Sequence, residues 1–284
     1  MTAKKRKPEI TDVIGKIQYR LALAGGWIDQ PFVSKYNPTP PGSMVVAAVE
    51  PQFHFMDRSG ICSSTRSIAL KLWKGNIPKN KKPETLVRQL YETENKDKPQ
   101  PSGSQDMIGL VYPGINRLDY DYNYDGGLYP IHIESNNDPK IAKWLSQVIH
   151  ILPLMPRPEG YRPLGQQNLD PEWVCRLGQS GKDCYNAILK MDVKGLGETL
   201  TENMRCWEAI LPDTLIHPIL TVDLIKFLNY YQKRYAGAMI SGCGGGYIYV
   251  VSEEPVPGAF HATIRIRPVR QAQGRQAHRR KVKK

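Results

Sequence analysis

Residues 20–31 read RLALAGGWIDQP and bring together a strand-like apolar run, a turn and a carboxylate. The run ends in Gly25-Gly26, and Asp29 follows on the far side of the turn. Because glycine has no Cβ, the backbone can reverse sharply there and present the carboxylate to a small polar ligand. Gly-Gly turns are usually structural, so this segment alone only weakly indicates a binding site.

A second segment, Gly60-Ile61-Cys62-Ser63-Ser64-Thr65, precedes a stretch with helical apolar spacing. Backbone N–H groups and hydroxyls converge at a helix N-terminus, which indicates a site for phosphate. A simple helix cap would have the same composition. The chain has no Walker-type G-x-x-x-x-G-K-[ST] motif, so a P-loop nucleotide site is excluded.

A third segment, residues 241–246, reads SGCGGG and leads into the apolar run IYVV. Four glycines in six residues cost backbone entropy unless something must approach the main chain closely. Two carboxylates complete the candidates: Glu94 at the end of a predicted helix and Asp106 at the start of the next. Taken alone, Asp106 has the position of an N-cap, and Glu94 that of a solvated charge.

Strand and helix signals alternate along the chain, and no internal repeat is visible. Strands are predicted over residues 13–25, 43–51 and 261–268, around Gly126-Gly127, and after a glycine turn within 238–254. Helices are predicted from residue 63 to Gly75, from about residue 105, and over 82–96, 139–152, 181–190, 194–211 and 221–237. Such mixing predicts an α+β protein whose halves meet near residues 134–165.

The net charge of +12 is concentrated at the two ends of the chain. Residues 4–7 carry four cations and residues 265–284 carry nine, with no Asp or Glu in either segment. Removing these 13 from the 39 Lys and Arg residues leaves 26 cations against 27 acidic residues. The pattern indicates a neutral globular body with basic arms instead of a nucleic-acid-binding domain.

Several classes of protein are excluded by composition. No stretch reaches the roughly 18 apolar residues that a membrane span needs. The basic N-terminus is not followed by the apolar core of a secretory signal, so the expected location is the cytoplasm. The five cysteines form no C-x-x-C pair and have no nearby histidine at ligand spacing, which argues against a zinc site or a disulfide framework.

In this order along the chain, the segments resemble the motifs of the GHMP kinase superfamily, and most closely its fucokinase and heptose-phosphate kinase branch. Residues 20–31 are similar to the sugar-binding motif, and residues 60–65 to the G-L-S-S-S-A phosphate loop. Residues 241–246 are similar to the C-terminal glycine-rich motif, and residues 103–106 to the G-x-x-D segment with the catalytic aspartate. The resemblance covers roughly residues 14–252.

The resemblance implies a two-domain α+β fold with the active site between the domains. A ribosomal-S5-like N-terminal domain would span residues 8–150, and a ferredoxin-like C-terminal domain residues 151–264. Residues 265–284 would form a basic disordered tail.

The activity implied by the resemblance is transfer of the γ-phosphoryl group of ATP to a hydroxyl of a sugar or sugar phosphate. In the branch that this sequence resembles, the expected acceptor is the anomeric hydroxyl. Asp106 would accept the hydroxyl proton, and Arg20 would keep that carboxylate ionised and stabilise the transferred charge. The remaining implied roles are substrate binding by Gly26, Trp27 and Asp29, ATP binding by Gly60, Cys62, Ser63, Ser64, Gly244 and Gly245, and Mg²⁺ binding by Glu94 and Ser63.

The segment before the phosphate loop departs from the family pattern. Only PQFHFMDRS separates the strand at 43–51 from Gly60, where family members have several tens of residues, including a nucleotide-base pocket. Arg66 also takes a position that is normally small, where it would either contact phosphate or block the loop. A phosphorylated substrate would need further cations, for which Lys35, Arg157 and Arg162 are candidates.

Two alternatives to an active sugar kinase therefore stay open. One is a catalytically degenerate relative that binds a sugar or a nucleotide. The other is a protein that acts through its basic ends on nucleic acid or another polyanion, with an affinity that falls steeply with salt. No membrane partner is expected, and the sequence carries no signal for an oligomeric state.

Overall fold

The computed structural model describes residues 15–267 of the 284-residue chain. Within that range the strands are β1 (Tyr19–Ala22), β2 (Gly42–Val49), β3 (Ile115–Tyr120), β4 (His132–Asn136), β5 (Ile149–Pro153), β6 (Gly237–Gly242) and β7 (Gly245–Val251). The α-helices are α1 (Pro31–Ser34), α2 (Ser63–Leu72), α3 (Pro83–Asn95), α4 (Gln105–Val111), α5 (Pro139–Val148), α6 (Pro171–Lys190), α7 (Val193–Ile210) and α8 (Leu224–Gln232).

The first sheet has the strand order β1-β2-β3-β4, with every neighbouring pair antiparallel. All eight residues of β2 are buried, because both α4 and α6 pack against this strand. A strand buried on both faces needs a continuous apolar sequence in place of alternation. The run MVVAAV in β2 satisfies that requirement.

The second sheet has the order β5-β7-β6 and is also antiparallel. Helices α7 and α8 pack against it, and the buried residues of β6 and β7 complete the core on that side. Two antiparallel sheets with helices beside them confirm the α+β class. The division at residues 150 and 264 into S5-like and ferredoxin-like domains stays a prediction.

The first sheet and the second sheet define two halves of the molecule, and several contacts join them. Helix α6 crosses β2 so closely that a methyl group at Gly181 would lie 2.8 Å from the Cα of Met44. Beyond β7 the chain pairs with both sheets, through bridges from Ile264 to Val49 and from Phe260 to Ile151. The cleft between the halves is therefore framed by rigid elements.

Three of the element predictions were wrong. The helix predicted over 139–152 ends at Val148, and the chain continues directly as β5. The stretch before the glycine turn at 238–254 is itself a strand, β6. Residues 261–267 form a single isolated bridge, at Ile264, instead of a strand. Short apolar runs carry no periodicity that separates a buried helix from a buried strand, so tertiary contacts decided these cases.

The predicted strand at 13–25 is regular only over β1, within the described residues. At the other end, the N–H of Arg265 donates to the carbonyl of Ala48 at 2.8 Å, and its own carbonyl accepts from the N–H of Gly114 at 2.6 Å. The first residues of the predicted tail thus hydrogen bond to the body, and residues 268–284 lie outside the described range. Between residues 15 and 267, no helix is both long and apolar enough to cross a bilayer.

Candidate active site

A cleft of about 300 Å³ opens between the two halves of the molecule and gathers the sequence motifs in one place. Its walls come from β1 and the turn after it, the start of α2, the end of α3, the start of α4, α7 and the end of β6. The predicted site residues that line it are Arg20, Gly26, Trp27, Asp29, Gly60, Cys62, Ser63, Ser64, Glu94 and Asp106. Gly244 and Gly245 are not among the lining residues.

Asp106 and Arg20 form an ion pair at the base of the cleft. The Nη2 group of Arg20 donates to Oδ1 of Asp106, and its Nη1 group donates to the carbonyl of Gly60 at 3.2 Å. The hydroxyl of Thr65 donates to Oδ2 of Asp106 at 3.2 Å. The Asp106 side chain is 23% exposed, whereas that of Arg20 is 5% exposed. The carboxylate is thus fixed by two donors and still open to a ligand.

Asp29 lies beside this pair and is almost completely buried. Its Oδ1 accepts from Nε2 of Gln105 at 3.2 Å, whereas its Oδ2 has no hydrogen-bond partner among the described residues. Burial raises the pKa of Asp29 to about 6, an effect that the nearby Arg20 charge partly offsets. Buried polar atoms nearly always have a partner, so an orphaned carboxylate oxygen in a cleft is suited to accept from a ligand hydroxyl.

Two indole rings form the wall next to Asp29. The rings of Trp27 and Trp207 meet edge to face with centroids 6.2 Å apart, and Nε1 of Trp207 donates to the carbonyl of Gly26 at 3.1 Å. Sequence reasoning did not assign Trp207, because an aromatic residue in an amphipathic helix such as α7 is indistinguishable from a core residue. Its place in the cleft depends on how α7 packs.

Residues 60–65, which are similar in sequence to a phosphate loop and are called the phosphate-like loop below, lead into the N-terminus of α2. Cys62 adopts the left-handed conformation before the helix, which has no side-chain cap. The first backbone donation in this helix is from the N–H of Arg66 to the carbonyl of Cys62 at 3.0 Å. The N–H groups of the first turn have no acceptor within the helix, and the loop residues Ser63 and Ser64 line the cleft. This end of α2 can accept an anion.

Arg66 lies away from this loop. Its guanidinium stacks 4.0 Å from the ring centroid of Tyr19, and its Nη2 group donates to the carbonyl of Ile17 at 3.1 Å. It does not line the cleft. Of the two roles that the sequence left open for Arg66, contacting phosphate or blocking the loop, the structure supports neither.

The glycine-rich segment contacts the phosphate-like loop backbone to backbone. A methyl group at Gly242 would lie 2.6 Å from the Cα of Gly60, so a larger residue would separate the loops. Gly244 lies further on, in the turn after β6, where its N–H donates to the carbonyl of Thr214 at 2.9 Å, and Gly245 is the first residue of β7. An ATP contact by these two glycines stays a prediction.

Glu94 reaches the cleft from the end of α3. Its Oε1 accepts from Nζ of Lys98 at 2.9 Å, while its buried Oε2 has no partner. Within residues 15–267 no group of three or more His, Cys, Asp or Glu side chains could hold a metal by itself. Mg²⁺ commonly binds through one or two carboxylates together with substrate phosphates, so Glu94 and Ser63 fit such an ion only when a phosphate ligand shares it.

Two cations in the cleft, Lys98 and Arg58, were not assigned to the site from the sequence. Lys98 pairs with Glu94, and Arg58 and Arg157 line the wall near Gly60 and Gly242. Of the three candidate cations for a phosphorylated substrate, Arg157 alone lines the cleft, whereas Lys35 lies over the ring of Tyr36. No motif considered in the sequence analysis includes Arg58.

The fold is shared with solved kinase structures. The chain is similar to Lactococcus lactis galactokinase complexed with galactose, with a TM-score of 0.58 and 13% identity over 89% of this chain and 93% of that one. It is similar to a D-glycero-D-manno-heptose 1-phosphate kinase from Bacteroides thetaiotaomicron, with a TM-score of 0.50 and 14% identity over 84% and 88% of the two chains. The mevalonate kinase of Methanococcus jannaschii gives a TM-score of 0.50 at 10% identity, over 84% and 89%.

These neighbours are GHMP kinases, so the resemblance seen in the order of the motifs is confirmed at the level of the fold. No sequence-family model matches the chain. No curated protein sequence matches it either.

Proposed function

We propose that the chain is a kinase that transfers the γ-phosphoryl group of ATP to a hydroxyl of a sugar or sugar phosphate. The observation that carries this proposal is the meeting, in one cleft, of the paired Asp106 and Arg20, the orphaned carboxylate of Asp29 and the open N-terminus of α2. The shared fold with galactokinase and heptose 1-phosphate kinase supports it.

Asp106 is the candidate general base. An acceptor hydroxyl at Asp106 would give its proton to the carboxylate as it attacks the phosphoryl group. Arg20 would orient the carboxylate and stabilise the charge that develops on the transferred group, because its guanidinium stays protonated. Thr65 holds the second carboxylate oxygen in place.

Asp29 and the two indoles are the candidate acceptor site. The free Oδ2 of Asp29 would accept from a ring hydroxyl, and the apolar faces of Trp27 and Trp207 would cover the carbons of a sugar. The galactokinase neighbour was solved with galactose, which supports a sugar as acceptor. Transfer to the anomeric hydroxyl follows from the motif resemblance at residues 20–31.

The phosphate groups of ATP would lie at the N-terminus of α2, with Gly60, Cys62, Ser63 and Ser64 around them. Glu94 and Ser63 would hold Mg²⁺, which supplies neutralisation of phosphate charge when it is bound.

The test is phosphoryl transfer from γ-labelled ATP to a panel of aldoses and sugar phosphates. We expect Asp106→Asn to lower turnover by about 10²- to 10⁴-fold, the usual loss when general-base help is removed. Asp97→Asn, at an exposed position outside the cleft, is the matched control and should retain the parent rate. Turnover of Asp106→Asn within a few-fold of the parent would show that the base is assigned wrongly.

One observation favours the alternative of a sugar-binding protein without transferase activity. The segment between β2 and α2 is short, and its Phe55 side chain is buried against other aromatic rings. The ring centroid of Phe55 lies 4.8 Å from that of Tyr19 and 5.7 Å from that of Tyr247. Thermal melting distinguishes the two functions. A shift with a sugar and none with ATP and Mg²⁺, together with no transfer to any acceptor, would favour the binding protein.

A further inference from the structure

Two arginines in the cleft, Arg58 and Arg157, have no acidic partner among residues 15–267. The other cations there are paired, Arg20 with Asp106 and Lys98 with Glu94. Arg58 and Arg157 form no ion pair with any acidic side chain in the part of the chain that the structure describes. Uncompensated charges of one sign in a cleft concentrate ligands of the opposite sign.

Backbone carbonyls hold both guanidinium groups in position. Nη2 of Arg58 donates to the carbonyl of Pro158, the residue that follows Arg157, at 2.8 Å. Nε of Arg157 donates to the carbonyl of Cys243 at 2.8 Å, and its guanidinium lies 5.7 Å from the ring centroid of Tyr161. Each arginine has five N–H donors, so most of them stay available to a ligand.

Arg58 and Arg157 lie close to the phosphate-like loop. The backbone N–H of Arg58 donates to the hydroxyl of Ser63, the first residue of α2, at 3.1 Å. Arg157 lies against Gly242, whose main chain contacts Gly60. The backbone of Arg58 and the guanidinium of Arg157 therefore both lie beside the loop, one from each half of the molecule.

We propose that Arg58 and Arg157 form a subsite for a phosphate dianion. Planar guanidinium groups match phosphate oxygens with paired, charge-assisted hydrogen bonds. The inference rests on the proposed function and deepens it, because it adds a phosphate group of the ligand beyond what the end of α2 binds. That group belongs to the polyphosphate of the donor or to a phosphorylated acceptor, which share this chemistry.

The first experiment is calorimetric titration of the full chain with inorganic phosphate and with pyrophosphate. We expect Arg58→Gln combined with Arg157→Gln to weaken the binding of both anions about tenfold or more, as for loss of charge-assisted hydrogen bonds. The control combines Arg162→Gln with Arg205→Gln, which removes the same charge from exposed positions outside the cleft. No binding to the parent, or equal weakening in both double variants, would overturn the subsite.

The source of the phosphate is decided by titrating the same variants with ATP, a free sugar and a sugar phosphate. Weaker ATP binding with unchanged sugar-phosphate binding assigns the subsite to the donor, and the converse assigns it to the acceptor. Unchanged affinity for both phosphorylated ligands would overturn it. Anion binding through the two arginines in a protein that transfers no phosphoryl group would leave the subsite standing while the proposed function fails.

A second measurement uses the parent protein alone, so it does not depend on whether a variant folds. Phenylglyoxal modifies accessible arginines, and peptide mass spectrometry gives the extent at each position. We expect pyrophosphate to protect Arg58 and Arg157 of the parent protein and to leave Arg162 equally reactive. Modification of Arg58 and Arg157 that is unaffected by pyrophosphate would contradict the proposal.

Discussion

Three carboxylates in the cleft differ in how they are held, and this difference separates their proposed roles. Asp106 accepts from Arg20 and Thr65. Glu94 has one oxygen on Lys98 and one without a partner. Asp29 is the most buried of the three and has a single side-chain donor, on Oδ1. We propose that Asp106 is the general base, that Glu94 is a metal ligand, and that Asp29 accepts hydrogen bonds from substrate hydroxyls.

Asp29 is predicted to destabilise the free protein at neutral pH. Its pKa rises from 3.8 to about 6 on folding, so ionisation costs folding free energy as the pH rises through this window. We expect Asp29→Asn to stabilise the fold at pH 7 by on the order of 1–3 kcal/mol, since one pKa unit corresponds to about 1.4 kcal/mol. Thermal melting of both proteins from pH 4 to pH 7 measures this.

The sign of that effect has a direct check. The advantage of Asp29→Asn should be small near pH 4, where the wild-type carboxyl is already neutral, and should grow towards pH 7. An advantage that does not change with pH would mean that the substitution acts through packing. The Asn variant should also lose the melting shift caused by an acceptor sugar.

Lys98 is predicted to compete with Mg²⁺ for Glu94. Its ammonium lies 2.9 Å from Oε1 of Glu94, the carboxylate that would hold the ion. We expect Lys98→Met to lower, several-fold, the Mg²⁺ concentration that gives half of the ATP-dependent melting shift. Lys96→Met, at an exposed neighbouring position outside the cleft, is the control. An unchanged or higher Mg²⁺ requirement would show that Lys98 does not compete.

At the scale of elements, the contact between α6 and β2 positions the two walls of the cleft. Glycine inside a helix costs about 1 kcal/mol relative to alanine, so Gly181 in α6 needs a compensating gain. That gain is close packing of the helix on the backbone of Ser43 and Met44. Burial of the whole of β2 depends on this approach.

Gly181→Ala should destabilise the protein although alanine is the better helix former. The added methyl group would lie 2.8 Å from the Cα of Met44 and closer still to the carbonyl of Ser43, so α6 must shift. Overpacking of this kind costs typically about 1–3 kcal/mol, measurable by denaturant unfolding. Asn186→Ala, on the exposed side of the same helix, is the control and should not destabilise. Equal stability of Gly181→Ala and the parent would mean that this contact is not tight.

At the scale of the whole molecule, several non-covalent contacts connect the two halves. Helix α6 packs on β2, Ile264 bridges to Val49, and Arg58 donates to Pro158 across the cleft. Contacts of this extent couple the unfolding of one half to that of the other.

We therefore expect one cooperative unfolding transition for the described body. Far-ultraviolet circular dichroism and tryptophan fluorescence should give coincident curves in denaturant, since Trp27 and Trp207 lie in different halves and meet at the cleft. Two separated transitions would show that the halves fold independently, and the cleft would then not be held rigidly in the free protein.

Local sequence patterns were sufficient to predict the α+β class and many of the residues that line the cleft. Strand-turn-carboxylate at 20–31, the small residues before α2 and the glycines at 241–246 are short local patterns, and local backbone preferences fix them without knowledge of the rest. Eight of the predicted site positions that line the cleft belong to the first two patterns, whereas Gly244, in the turn after β6, and Gly245, the first residue of β7, are not among the lining residues.

Which side chains meet in the cleft depends on tertiary packing. Arg20 and Asp106 are 86 positions apart, and Asp29 and Gln105 are 76 apart, so their contacts depend on how β1 and α4 pack. The same holds for the cations, because Arg157 faces the cleft while Arg66 stacks on Tyr19. A side chain's direction is set by the packing of its element against distant parts of the chain, and one sequence carries no local signal for that packing.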